Sequence, residues 1–307
     1  MSAPAGKILA ITGGTGFVWR RLIDLALESG HKVRALTRRE QEPRTGVTWI
    51  RGALDTPDAL VTLARGADVV IHVAGVVNAP DRAGFVTGNI EGTRAVLAAA
   101  EAAGVARFVH VSSLAAREPG LSIYGWSKAE AERLVTESTR AWTVVRPPGV
   151  YGPGDMDFLE IFRLARHGLA FLPPGGRMSL IEVSDLGRML LAAADAPADH
   201  ALYEPDDGTP GGWTHRDFAQ AVGKAVTGHT ILALSLPRFA LFAAGRIDRA
   251  LRGARARLTP DRAAYFCHPD WVSAPERHPP AALWQPRVPT AQGLAETVRW
   301  YRAQGLL

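Results

Sequence analysis

The stretch ILAITGGTGFVW, residues 8–19, decides how the rest of the chain is read. An apolar run ends in glycines at 13, 14 and 16, and an amphipathic pattern takes over at once. That order predicts a strand, a tight turn and a helix. Gly13 and Gly16 let backbone approach a bound group with no Cβ in the way, and the opening turn of the helix leaves free N–H groups. A nucleotide pyrophosphate needs both. The next glycine of that spacing, which normally permits close packing of helix on sheet, is replaced by Trp19. Trp19 must displace the helix, fill a gap left by a neighbour, or disturb the cofactor; local repacking is the simplest of these.

Working outward, KILAIT, HKVRALT, VTWI, DVVIHVAG, RFVHVSS and WTVVRP are short apolar runs bounded by turn residues, continuing to Arg146. Between several of them lie helical patterns at 16–28, 88–103 and 127–138. Apolar runs without strict alternation read as strands buried on both faces, joined by helical crossovers. The expected fold is α/β, a Rossmann-type doubly wound parallel sheet with a smaller, mostly helical substrate lobe. Residues 1–150 are assigned to the dinucleotide lobe, with a return segment near 178–196, and 151–177 and 197–307 to the substrate-binding cap. A helix at 184–194 is expected to open with Ser184 and Asp185 as cap and first-turn residues.

The 307 residues are 47% hydrophobic and 21% charged, which excludes a disordered chain. No unbroken apolar run reaches the roughly eighteen residues of a membrane span. MSAPAGK runs straight into the first strand, so no signal peptide is expected. A lone cysteine, Cys267, fits a reducing cytoplasm. The net charge of +5 leaves nucleic acid, an anionic membrane and a phosphorylated ligand all open. It concentrates in LPRFALFAAGRIDRALRGARARL, residues 236–258, where Arg238, Arg246, Arg249, Arg252, Arg255 and Arg257 face a single Asp248. A solvated face or a landing area for a phosphate-bearing substrate is one reading; weak peripheral contact with an anionic membrane is the other. No basic motif interleaved with aromatics is present, so nucleic acid is not an expected partner.

The second strand ends in ALTRRE, where an acidic residue usually holds the adenosine ribose. Arg38 and Arg39 stand there instead, and guanidinium groups suit a 2′-phosphate. NADP is therefore the expected cofactor, NAD the alternative, with Arg38 the first choice of contact. Asp55 is a candidate partner for the adenine amino group, or else a helix cap.

After the fifth strand comes VHVSSLAAREPGLSIYGWSK. Tyr124 and Lys128, four apart, share one helix face. A ketone under reduction needs a proton at oxygen, and a phenol of pKa about 10 supplies it best beside a cation. Lys128 is that cation, and Ser112 or Ser113 would hold the substrate oxygen.

TGGTGF, Asp55, HVAG, NIEGT at 89–93, the serine pair, YGWSK and RPPGVYGPGD at 146–155 together resemble the extended short-chain dehydrogenase/reductase family over nearly the whole chain. The arginines after the second strand look more like its dihydroflavonol-reductase-like and 3β-hydroxysteroid-dehydrogenase-like members than like sugar-nucleotide epimerases. The resemblance implies Tyr124 as acid/base, Lys128 as its electrostatic partner and a holder of the nicotinamide ribose, and Ser113 as the third member, slightly ahead of Ser112. It implies cofactor contacts from Gly13, Thr15, Gly16, Phe17 and Val18 at the first turn, and from Leu54 beside Asp55. Val73, Ala74 and Gly75 would line the cofactor after the fourth strand, and Pro147 and Val150 after the sixth. Residues 178–190 resemble the segment returning from the substrate lobe, and 293–307 the terminal helix.

The expected function is therefore an NADP(H)-dependent oxidoreductase interconverting a carbonyl and an alcohol on a small-molecule substrate. The alternatives are a sugar-nucleotide epimerase or dehydratase using bound NAD(P), and a non-catalytic dinucleotide-binding scaffold. Self-association, where it occurs, is expected as a homodimer. His72 and His110 read as satisfied core residues. Cys267, His268, Asp270 and His278 match no metal-ligand spacing, and no metal is expected. Trp126, Met156, Phe158, Phe162 and the 171–174 loop are candidates for substrate contact, with packing the simpler role for each.

Overall fold

A computed structural model describes residues 6–13, 16–197, 200–253, 256 and 258–307. Thr15, expected at the cofactor, and Arg255 and Arg257 of the basic segment lie outside the described residues.

The elements run β1 (Ile8–Thr12), α1 (Phe17–Glu28), β2 (Lys32–Thr37), β3 (Val47–Arg51), α2 (Pro57–Ala64) and β4 (Val69–His72). A helix follows in three parts: α3 (Arg82–Phe85), a wider π turn (Val86–Glu91) and α4 (Gly92–Ala102). Then come β5 (Arg107–Val111), α5 (Ile123–Thr136), β6 (Ala141–Val145), β7 (Gly149–Tyr151), α6 (Leu159–Arg166), β8 (Leu169–Leu172), β9 (Arg177–Met178), β10 (Leu180–Glu182) and α7 (Val183–Asp195). The chain ends with β11 (Ala201–Tyr203), β12 (Trp213–Thr214), α8 (His215–Thr227), β13 (Leu232–Ser235), α9 (Arg238–Arg252), α10 (Pro260–Phe266), β14 (Asp270–Trp271) and α11 (Thr290–Ala303).

Seven strands form one parallel sheet in the order β11-β6-β5-β4-β1-β2-β3. The order reverses between β1 and β4, and in open α/β sheets that reversal opens a crevice at the carboxyl ends of the strands. Helices cover both faces, so the strands are buried on both sides, as their unbroken Val and Ile runs require. β11 belongs to this sheet, pairing Ala201 with Thr143 and Tyr203 with Val145. The return segment therefore runs on past 196, where the sequence reading had placed these residues in the cap. A second core gathers Tyr151, Phe162, Phe218 and Tyr301, between α6, α8 and α11. Phe158 and Phe162, candidate substrate contacts, pack into that core, whereas Met156 and Phe171 stay exposed.

Trp19 fills a gap. It is buried in the first core, and its ring lies 5.5 Å from that of Trp49 on β3. The close helix contact is supplied elsewhere: a Cβ on Gly187 of α7 would stand 2.6 Å from Leu25 Cδ1 and 3.8 Å from Leu22 Cα. α1 thus approaches α7 through a glycine on the partner helix, leaving its own side free to carry an indole. The cap of α7 also differs from expectation. Glu182 takes the N–H groups of Ser184 and Asp185, while the Asp185 carboxylate accepts from Arg287 N and Val288 N, both at 2.9 Å, and secures the C-terminal segment.

Trp19→Ala is expected to lower unfolding free energy by about 3–5 kcal/mol in urea titration, the cost of emptying a large buried aromatic site. A loss under about 1 kcal/mol would contradict a core role for this indole.

Candidate active site

At the head of the crevice, Gly13 has φ +122°, a conformation that favours glycine, and a Cβ there would stand 3.3 Å from both Val73 Cβ and Ala74 N. A Cβ on Gly16 would meet nothing within 4 Å among the described residues. Gly16 opens α1 with no side-chain cap and no acidic residue in the first turn. The first turn thus offers a positively polarised helix end, the setting an anionic pyrophosphate fits. Phe17 and Val18 continue the helix, half-buried, and Gly154 from the second lobe comes so near that its Cβ would lie 3.0 Å from that of Phe17.

Arg38 and Arg39 are exposed at the carboxyl end of β2, where the Thr37 hydroxyl turns the chain by donating to Arg39 O at 2.7 Å. Asp55 is exposed at the neighbouring edge, one residue before the α2 cap position; no side chain caps that helix, so Asp55 has no capping role. Leu54 packs on Gly92, whose absent Cβ leaves it room. Pro147 is buried and accepts from Leu114 N at 3.1 Å, and Val150 lies half-buried beside the first core.

The turn after β4 is held by a buried relay. Thr93 donates to Asn89 O at 2.7 Å, which leaves its oxygen to accept from His72 Nε2 at 3.0 Å. His72 Nδ1 is then the acceptor for the Thr12 hydroxyl at 2.7 Å, and Thr12 Oγ1 accepts from Ala74 N at 3.3 Å. The Asn89 carboxamide accepts from Val76 N at 2.7 Å and donates to Val76 O at 3.0 Å and Ser127 Oγ at 2.8 Å. Ser127 in turn donates to Tyr124 O. Val73, Ala74 and Gly75 are thereby fixed at the crevice, and a Cβ on Gly75 would press on Asn89 Oδ1 at 2.9 Å. Asn89 sits in the π turn, and such turns gather at functional sites. Its partners, Val76 and Ser127, stand 13 and 38 residues away, so no local pattern in NIEGT gives it a role.

Ser122 caps α5 by accepting from Gly125 N, which places Tyr124 in the first turn and Lys128 one turn on. Ser113 accepts from Ala115 N at 3.2 Å. Of the two serines, Ser113 is the one that acts on the Tyr124 pKa, while the neighbouring Ser112 Oγ is buried with no partner among the described residues. Burial raises the Tyr124 pKa, with the Ser113 hydrogen bond opposing. Lys128 is buried and donates to Val111 O at 2.8 Å. Burial pulls its pKa down to about 8, against the Glu132 carboxylate, which supports the charge. Glu132 is held by Arg146 in a two-pronged pair at 2.8 and 2.6 Å, and Arg146 also reaches Glu204 at 3.3 Å. The spacing of Glu132, one turn beyond Lys128, was a signal the sequence reading passed over.

A cavity of about 220 Å³ lies at the start of α5, its lining including Asn78, Arg82, Phe85, Ile123, Arg249 and Arg262. The rings of Phe85 and Tyr265 stand 6.2 and 6.4 Å from that of Tyr124. Trp126 points to Arg82, whose guanidinium carbon is 3.6 Å from the ring centroid. His268 Nδ1 accepts from Asp270 N at 3.2 Å and its ring lies tilted against Trp271, while His278 reaches Asp206 in another loop.

Residues 9–204 match the NAD dependent epimerase/dehydratase family. The chain belongs to that family. It is an NAD(P)-dependent enzyme of the oxidoreductase type within the extended short-chain dehydrogenases/reductases. A ceramide reductase of Caulobacter vibrioides is 36% identical over 100% of this chain and 98% of its own length. A 4-hydroxy-2-methyl-3-oxo-4-farnesyl-3,4-dihydroquinoline-1-oxide ketoreductase of Stigmatella aurantiaca is 32% identical over 65% of this chain and 68% of its own. In fold, MoeE5 in complex with UDP-glucose and NAD superposes with a TM-score of 0.73 at 23% identity, covering 97% of this chain and 99% of that one. Among the described residues no helix is long and apolar enough to cross a membrane.

The two histidines differ. His72 is satisfied by Thr12 and Thr93, but neither ring nitrogen of its stacked neighbour His110 has a partner among the described residues. The expectation of a satisfied core histidine thus fails at His110. Burial holds His72 down to about 3, with the Lys128 charge adding, and the same causes hold His110 well below its usual value. Both rings bind protons near 6.5 once unfolded but stay neutral in the fold, so their contribution is complete above about 6.5 and declines as pH falls toward 3. Urea midpoints are expected to drop over that window. His110→Leu should flatten the decline while costing less than about 1 kcal/mol at neutral pH, since an unpaired ring loses no hydrogen bond. An unchanged acid slope would contradict this account.

Proposed function

We propose that this chain is an NADP(H)-dependent carbonyl reductase whose substrate is the ketone of a ceramide-type lipid. The observation that carries the reading is Tyr124 and Lys128 one turn apart on α5, with Ser113 acting on the phenol and Phe85, 6.2 Å from the Tyr124 ring, lining a nearby cavity with Ile123. The full-length similarity to a ceramide reductase, and the partial similarity to a ketoreductase of a farnesylated substrate, support a lipid ketone. Arg38 and Arg39, standing where an acidic ribose partner would otherwise be, support the 2′-phosphate of NADP. Gly16 and the uncapped start of α1 suit the pyrophosphate. A lone buried thiol, Cys267, suits a reducing, cytoplasmic setting.

The reduced nicotinamide supplies hydride to the carbonyl carbon. This chain's residues manage the oxygen. Ser113, fixed through Ala115 N, holds the substrate oxygen beside the phenol. Burial keeps Tyr124 protonated, which makes it a proton donor at neutral pH. As its proton leaves, the Lys128 ammonium, fixed on Val111 O and backed by Glu132, stabilises the phenolate. Phe85, Ile123 and Tyr265 limit the water that competes for that charge.

NADPH oxidation with a ceramide-type ketone tests the assignment, with UDP-glucose as the comparison substrate. Tyr124→Phe is expected to cut turnover by about 10²–10⁴ while leaving NADPH binding intact. Retained turnover would overturn the role of the phenol, and turnover only of the sugar nucleotide would favour an epimerase. Reduction should fall as pH rises through about 8, where the Lys128 ammonium is lost. Replacing both Arg38 and Arg39 by Ala should weaken NADPH about tenfold and leave NADH unaffected, the loss of a charge-assisted contact.

A further inference from the structure

α9 buries little of its surface. Only Gly245 is fully buried, where a Cβ would press on the Thr259–Pro260 backbone at 3.0 Å and so sets how closely α10 approaches. The residues turned outward include Phe239 (76% exposed), Ile247 (59%) and Leu251 (81%), with Ala243 between them. Positions 239, 243, 247 and 251 recur every four residues and form one stripe along the helix. Arg238, Arg246, Arg249 and Arg252 are exposed as well and border it. The single acidic residue, Asp248, is turned inward, accepting from Leu258 N at 2.9 Å and pairing with Arg252 at 3.3 Å. What α9 presents to its surroundings is therefore large apolar side chains flanked by positive charge.

We propose that α9 is a membrane-docking helix, which lays its outward stripe into the surface of an anionic lipid bilayer at the rim of the cavity that Phe85 and Ile123 also line. Charge complementarity selects this occupant. Apolar side chains enter the boundary between headgroups and acyl chains while the arginines remain with lipid phosphates. A second copy of the chain would set this arginine border against itself, because a twofold contact joins like surface to like. The helix also forms part of the cavity wall. Arg249 lines it and donates to Pro80 O at 3.4 Å, and Asn78 on the opposite loop donates to Ala256 O at 3.2 Å. Val77, beside Asn78, is 52% exposed and adds an apolar contact at that rim. A substrate too apolar to dissolve could then pass from bilayer to Tyr124 without crossing water. That last step rests on the lipid-ketone reading, whereas the docking does not.

The test is co-sedimentation of the full chain with phosphatidylcholine vesicles, with and without phosphatidylglycerol. Binding is expected only where phosphatidylglycerol is present, and it should be lost in about 1 M salt, where screening reaches to ~3 Å. Phe239→Ser with Leu251→Ser, and separately Arg238→Glu with Arg246→Glu, should each reduce binding by about tenfold or more. All four side chains are exposed, so the thermal midpoint and turnover of a short water-soluble ketone should not change. Absence of binding to the anionic vesicles, or binding that neither pair alters, overturns the proposal. So does a dimer, seen by light scattering, that the serine pair converts to monomer while vesicle binding is absent. Vesicle binding without turnover of any ketone would leave the docking intact and remove the reductase assignment instead.

Discussion

The Asn89 carboxamide makes three hydrogen bonds in a place where water does not reach, and the catalytic geometry depends on them. Two grip Val76 from above and below, and one holds Ser127 on α5. The loop that would line a nicotinamide and the helix that carries Tyr124 and Lys128 are thus referred to one side chain. Leaving such buried groups unpaired would cost about 1–3 kcal/mol each, so the network is satisfied as a whole or not at all. The π turn around Asn89 gives the carboxamide its reach, and the relay through Thr93, His72 and Thr12 carries the same constraint into the centre of the sheet.

Around that fixed point the charges are arranged in opposition. Lys128 is buried deeply enough to lose proton affinity, yet Glu132 one turn away keeps it near the range in which it can act. Glu132 is itself neutralised by Arg146, which shares Glu204 with Arg117. The chain Lys128–Glu132–Arg146–Glu204 joins α5 to the end of β6 and to the loop after β11. It links the proton-transfer site to the scaffold through charge, as Asn89 does through hydrogen bonds.

The strands, their crossovers and the glycine turn were legible because each follows from local spacing. Hydrophobic runs of strand length are repeated between helical patterns, and only a parallel sheet buries them all. Tyr124 and Lys128 could be paired because four residues on a helix make one turn. What spacing did not reveal is who stands opposite. Trp19 left repacking, displacement of the helix and disturbance of the cofactor open, whereas Gly187, far along the chain, accounts for the close packing and Trp49 for the indole's neighbour. His110 read as a satisfied core residue because its strand is apolar, yet neither of its ring nitrogens finds a partner among the described residues.

By itself, then, the sequence determined the doubly wound fold, the place of the dinucleotide turn and the residue types available for proton transfer, since these depend on periodicity and on the nearest few residues. Tertiary structure alone decided that β11 completes the large sheet, that Asn89 gathers the site, and that α9 keeps its apolar stripe outward. Each of those is a choice of partner across tens of residues. It is made by burial and by the satisfaction of polar groups in three dimensions, which no local pattern encodes.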